Sequence, residues 1–146
     1  MVGWVSVIFK FLRVAYGLLL VAVLFVPFGV YHSTVEPYII GFLWGYHLPV
    51  GYVALVSGLA VILYPKLTAL KGRLDFLVVV IGLVLLFSLA LIPKEFSINL
   101  LHSTSFSAAQ IDVDYGVGNG VVWLLSLLSL ALGFMLRAKL PRALAN

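Results

Sequence analysis

The sequence predicts an all-α integral membrane protein, a bundle of four transmembrane helices with both termini in the cytoplasm. Three observations carry that reading. Hydrophobic residues make up 64% of the 146-residue chain and charged residues only 10%, against roughly 25% charged in an ordinary soluble domain. The apolar residues gather into runs over 14–31, 42–64, 76–92 and 116–136, each near the ~20 residues that cross a bilayer. Lys10, Arg13, Lys66, Lys71, Arg73, Arg137, Lys139 and Arg142 all fall at one end of those runs, leaving Lys94 as the exception among the nine basic residues.

Taken in order, the first run follows Lys10 and Arg13 and continues past Val30 without a small-residue cleavage pattern, so it is expected to be a retained helix. The loop over 32–41 contains "HSTVEPY", rich in polar and turn residues. The second run returns to the basic segment "PKLTALKGRLD", and the third, the shortest, leads out again to a loop over 93–115. The fourth ends at Arg137 and a basic tail. Positively charged loops stay in the cytoplasm, which orients the bundle and puts both long polar loops outside. The acidic residues agree: Glu36, Glu95, Asp112 and Asp114 are on the outer side and only Asp75 is on the inner side. The net charge of +4 therefore marks helix ends and does not call for nucleic acid. Tyr31, Tyr38, Tyr46 and Tyr64 near the span ends suit the interface, where a ring rests among headgroups and its hydroxyl reaches water.

The two outer loops share a tripeptide, in "YHST" and "LHST", and the helices expected after them open with glycine pairs at equal spacing, Gly41 with Gly45 and Gly116 with Gly120. A tandem duplication of two helical hairpins is one account of this, and the shared composition of membrane hairpins is the other. The glycine pairs also remove side chains from one stripe, as do Gly51, Ala54 and Gly58 on the second helix and Gly116, Ser126 and Gly133 on the fourth. Lipid is as apolar as the helices, so close contact between such stripes is what holds a bundle together.

His47 is the ionisable side chain within the second run. Counted at 1.5 Å per residue from Tyr64, it is expected about 25 Å from the cytoplasmic boundary, near the outer edge of the hydrocarbon. At 100° per residue it would share a face with Gly51, Ala54 and Gly58 and look into the bundle, with Pro49 breaking or kinking the helix beside it. Asn119 is expected to point inward on the fourth helix, and Asp112 and Asp114 to favour the positive start of that helix. Together His32, His47, His102, Glu36, Asp112 and Asp114 approach the outer surface. Imidazole with carboxylate suits zinc, copper or iron, and two inward histidines could ligate a haem. No HExxH motif is present, no two histidines stand one helical turn apart, and there is no cysteine.

Catalytic constellations are missing as well: the chain shows no Ser-His-Asp arrangement and no phosphate-cradling glycine loop before a basic residue. No carboxylate or arginine lies mid-span to mark an ion path. The expectation is a non-catalytic accessory or scaffolding subunit that meets other membrane subunits, or itself, through its small-residue faces. Two alternatives stay open. One is an electron-transfer subunit holding haem or quinone with His47 and His32 or His102. The other is a small oligomeric channel or carrier lined by Asn119 and His47.

Overall fold

A computed structural model describes residues 2–36, 38, 40–66, 73–92, 98–99, 105–106 and 111–144. The chain is mostly helical, at 74%, with a small sheet. In order it runs α1 (Val2–Ala22), β1 (Pro27–Ser33), β2 (Ile40–Trp44), α2 (Pro49–Leu63), α3 (Leu74–Ala90), β3 (Ile98–Asn99), β4 (Ser105–Phe106), β5 (Ile111–Tyr115) and α4 (Val117–Leu144). Among the described residues, three helical stretches are long and apolar enough to cross a membrane: Val7–Phe25, Pro49–Lys66 and Val117–Arg137. The helix α3 is apolar but shorter, at 17 residues. The helices pack chiefly as α1 against α2 and α3 against α4, and α2 also meets α3.

The sheet corrects the all-α expectation. Strands β2, β1 and β5 form an antiparallel sheet with β1 in the centre, and β3 pairs with β4 separately. Two expected helices are shortened by it. The first ends at Ala22, passes through a 3-10 turn over Val23–Phe25 and becomes β1 at Pro27. Proline lacks an amide for the helical ladder and pushes the residue before it towards extended backbone; Val26 is accordingly extended. The second expected helix begins seven residues late. Its opening "FLW" belongs to β2, a 3-10 turn follows over Gly45–His47, and α2 starts with Pro49 at its first position. There proline's missing amide costs nothing and its φ is already helical. Pro49 therefore starts the helix instead of kinking it. Hydropathy alone does not separate an apolar strand from an apolar helix, and the β-branched and aromatic residues of "PFGVYHS" and "IGFLW" favour the strand.

Glycines set how closely these pieces approach. A Cβ at Gly58 would stand 2.5 Å from the Gly17 carbonyl oxygen, and one at Gly17 would stand 2.9 Å from that of Gly58, so α1 and α2 touch backbone to backbone. Gly82 lies against Ser126 and Leu130, and Gly133 against Val79 and Asp75, which joins α3 to α4 in the same way. Gly51, Ala54 and Gly58 are all buried, so the stripe read on the second helix packs inward. The opening glycines divide differently. Gly45 abuts the Val23 carbonyl, Gly41 lies under the Tyr31 ring across the strand pair, and Gly116 and Gly120 face open space. The tight glycine at the start of α4 is Gly118, whose Cβ would be 2.7 Å from Phe28 Cα.

Buried hydroxyls complete the packing. Ser126 donates to the Val122 carbonyl at 2.7 Å and Ser88 to that of Leu85 at 2.7 Å, each within its own helix. Tyr16 on α1 shares a hydrogen bond with Ser129 on α4, crossing from one hairpin to the other. Phe28 and Leu48, both fully buried, close the core at the sheet end.

This packing gives Gly118→Ala and Gly120→Ala opposite signs. The first forces Phe28 or the backbone aside and should cost about 1–3 kcal/mol; the second fills open space on a helix and should be neutral or stabilising by up to about 1 kcal/mol. Thermal unfolding of both variants in one detergent reads the difference, and a large loss in Gly120→Ala would restore the packing role expected of that glycine.

Candidate functional site

The register of the sheet decides which polar side chains meet. Along β1, Val30 pairs with Phe42 on one side and Asp114 on the other, and His32 pairs with Ile40 and Asp112. Side chains of directly paired residues share a face, so Ile40, Phe42, Val30, His32, Asp112 and Asp114 lie on one side of the sheet. The opposite side carries Leu43, Gly29, Ser33 and Ile111, all buried. The sheet thus has a packed face and an open face.

On the open face, His32 Nε2 lies 3.8 Å from Asp112 Oδ2, and both side chains are well exposed. An exposed pair at that distance contributes about 0–1 kcal/mol. Asp112 and Asp114, expected just before the fourth helix to favour its positive start, are exposed strand residues two apart in β5, which ends at Tyr115 before α4. Glu36 lies in a bend and is exposed. At the start of α4, Asn119 is half-buried and its Oδ1 is enclosed without a hydrogen-bond partner among the described residues. Burial raises the Tyr115 phenol above the usual tyrosine range.

His47 has a different position from the expected one. It ends the 3-10 turn before α2, so it does not belong to the helix whose face it was expected to share; it is exposed, and Leu48 takes the buried position next to it. Its Nδ1 accepts from the Trp44 amide at 3.2 Å, and its ring lies edge-on to Tyr46 at 4.2 Å between centroids. The imidazole therefore acts as a side-chain cap where the chain passes from strand to helix. Register also separates it from His32. His32 pairs with Ile40 at the far end of the hairpin, whereas Trp44, three residues before His47, pairs with Pro27 at the helix end. At ~3.3 Å per strand residue, Trp44 and Ile40 are about 13 Å apart along the hairpin, so His32 and His47 stand towards different ends of it.

His102 lies outside the described residues. Among the described residues no three His, Asp or Glu side chains converge to hold an ion. Of the expected site residues, the sheet brings His32 and Asp112 together and leaves Glu36 and His47 apart from them. The cross-strand pairing has no local sequence signal, since positions 32 and 112 meet only through β1 and β5.

The remaining edge of the sheet is apolar. Among the described residues β2 pairs with β1 alone, so its other edge is unpaired. Ile40 is 78% exposed and Phe42 is 58% exposed, and Tyr38 just before them is 72% exposed. The Phe42 ring leans on Trp44 at 6.2 Å between centroids. Known protein-family models, curated protein sequences and solved structures give no match to this chain.

The His47 cap makes a separable prediction. His47→Ala removes the acceptor for the Trp44 amide and should lower stability by about 0.5–2 kcal/mol, the range for lost side-chain caps. His47→Asn keeps an acceptor at similar reach and should recover most of that loss. Chemical denaturation in detergent compares the two; equal losses would show that the imidazole is needed for something other than the cap.

Proposed function

We propose that the protein is a four-span, non-catalytic membrane subunit, with both termini in the cytoplasm, that scaffolds a larger assembly by docking a partner protein on its outer sheet. The observation that carries this is the unpaired β2 edge, where Ile40 and Phe42 stand exposed on the open face of the sheet. Unpaired strand edges offer a row of backbone donors and acceptors, and natural proteins ordinarily blunt them with charge, proline or a covering element. The strand itself, "IGFLW", holds no charge and no proline, and no strand covers its edge among the described residues. Ile40 is four residues beyond Trp44, up to about 13 Å further from the helices at strand spacing. That exceeds the ~5–7 Å depth of one headgroup layer, so lipid alone does not account for an exposed isoleucine there.

An added strand would satisfy the β2 edge by main-chain hydrogen bonds, with Tyr38, Ile40 and Phe42 supplying apolar contact. The acidic residues Asp112 and Asp114 bound the same face on the β5 side and favour a partner with basic or neutral residues there. For the span count, α3 extends about 25 Å. That is short of the ~30 Å hydrocarbon core but within what local thinning accommodates. The basic residues at the far end from the sheet support a cytoplasmic location for both termini.

Two experiments test the parts of this reading. A photo-reactive residue in place of Phe42 should cross-link a neighbouring chain in native membranes, while the same group in place of Leu83, on α3, should not. Ile40→Lys with Phe42→Lys should remove the slow-migrating species on native gels. A protein that stays monomeric and uncross-linked in its own membrane would overturn the docking role. Because the chain has no cysteine, single substitutions report topology directly. Glu36→Cys should react with an impermeant maleimide in intact cells, and Lys66→Cys only after the membrane is opened.

A further inference from the structure

At the opposite end from the sheet, a groove of about 330 Å³ lies between the start of α3 and α4, lined by Arg73, Asp75, Phe76, Val79, Phe134 and Arg137. Two guanidiniums and one carboxylate line it together with two phenylalanines and a valine. Phe76 and Phe134 are both exposed, so the apolar wall continues out onto the surface that faces lipid.

The charges are not paired with one another. Among the described residues the one ion pair within 4 Å is His32 with Asp112, so Asp75 is not paired with either arginine. The groove also adjoins the positive end of α3. The first ladder bond there runs from the Leu77 amide to the Arg73 carbonyl at 3.1 Å, which leaves the amides before it at the mouth of the groove. Glycine fixes the floor, since Gly133 lies against Val79 and the Asp75 carbonyl and brings α4 close to α3. The shortness of α3 adds a reason for lipid to be drawn in. A 17-residue helix leaves several ångströms of a ~30 Å core unspanned, and the bilayer must dip to meet its end.

We propose that this groove is a headgroup site for an aminophospholipid: the phosphate diester lies between Arg73 and Arg137, the headgroup ammonium meets Asp75, and an acyl chain follows Phe76, Val79 and Phe134. The match is one of charge pattern. A phosphate diester suits two guanidinium forks, and the remaining carboxylate opposes a simple anion but complements an ammonium. Basic clefts between membrane helices on the cytoplasmic side bind anionic headgroups by the same chemistry. The inference rests on the four-span reading, which sets α3 across the bilayer and decides which leaflet supplies the lipid.

Native mass spectrometry of the full-length protein in mild detergent, titrated with phosphatidylethanolamine, phosphatidylglycerol or phosphatidylcholine, tests this without reference to orientation or to any partner. The wild type should hold phosphatidylethanolamine most tightly. Phosphatidylcholine, whose quaternary ammonium has no N–H, should bind more weakly. Arg73→Gln with Arg137→Gln should weaken retention roughly tenfold or more, as expected for lost charge-assisted bonds, while Arg73→Lys with Arg137→Lys should fall between because it keeps charge without the fork. Asp75→Asn should erase the preference for phosphatidylethanolamine over phosphatidylglycerol. Should the glutamine pair fail to fold, the lysine pair and Asp75→Asn decide. Equal retention by the variants would mean that the lipid is only annular and would overturn the site. Displacement of lipid by an equal concentration of inorganic phosphate would identify a free-anion site and overturn the lipid assignment.

Discussion

The short segment from Val26 to Phe28 joins both halves of the molecule by its backbone. The Val26 carbonyl accepts from the Gly45 amide at 3.0 Å and the Phe28 carbonyl accepts from the Gly116 amide at 2.8 Å. One stretch of chain, leaving α1, thereby holds the residues that lead into α2 and into α4. Between those two bonds Phe28 inserts its ring against Gly118. In an apolar setting an unpaired backbone group costs several kcal/mol, so where helix ends and strand has not begun, these carbonyls need partners. Gly45 can supply one because no side chain prevents its approach: it abuts the Val23 carbonyl. Gly29 likewise lies 2.6 Å, measured from the Cβ it lacks, from the Asp114 carbonyl, whereas Gly116 donates from open space.

Below that junction the forces change character. For helices that cross a bilayer, lipid gives no hydrophobic reward for coming together, so contact distance and hydrogen bonds would decide. The Gly17–Gly58 contact and the Gly82–Ser126 contact meet the first requirement in the two hairpins. The Tyr16–Ser129 hydrogen bond meets the second between them. Ser88 and Ser126 spend their hydroxyls on their own helix, which lets a polar atom be buried without requiring a partner helix to supply its bond.

The helical core was legible in the sequence because it depends on local composition: α3 and α4 begin within two residues of the expected spans, and the Gly51–Ala54–Gly58 stripe is buried as its spacing indicated. The sheet was not, because its strands are as apolar as the helices they continue, and hydropathy is blind to the difference. Pro27 and Pro49 were the available local signals. The first marks where extended backbone begins and the second where helix begins; reading Pro49 as a kink carried the helix too far and put His47 on the wrong element. The pairing of His32 with Asp112 depends on strands about eighty residues apart in sequence, which no local pattern encodes. Gly118 was missed for a related reason. Its importance comes from Phe28, and nothing in "GVGNG" distinguishes it from Gly116 or Gly120.

The two ends of the molecule are therefore built on different terms. At the sheet end, backbone bonds and glycine contacts fix the strands to α1, α2 and α4, so the β2 edge is held by a rigid support. A partner strand meeting an edge already held in position loses little freedom in ordering it, and so keeps more of its contact energy as affinity. At the end opposite the sheet, Arg73, Asp75 and Arg137 line an open groove and, among the described residues, do not pair with one another. A protein that had to be stable alone would gain by closing both features, covering β2 with charge and matching the arginines to Asp75. Among the described residues neither is closed, which is why the proposed partner strand and the proposed headgroup each have a place to bind.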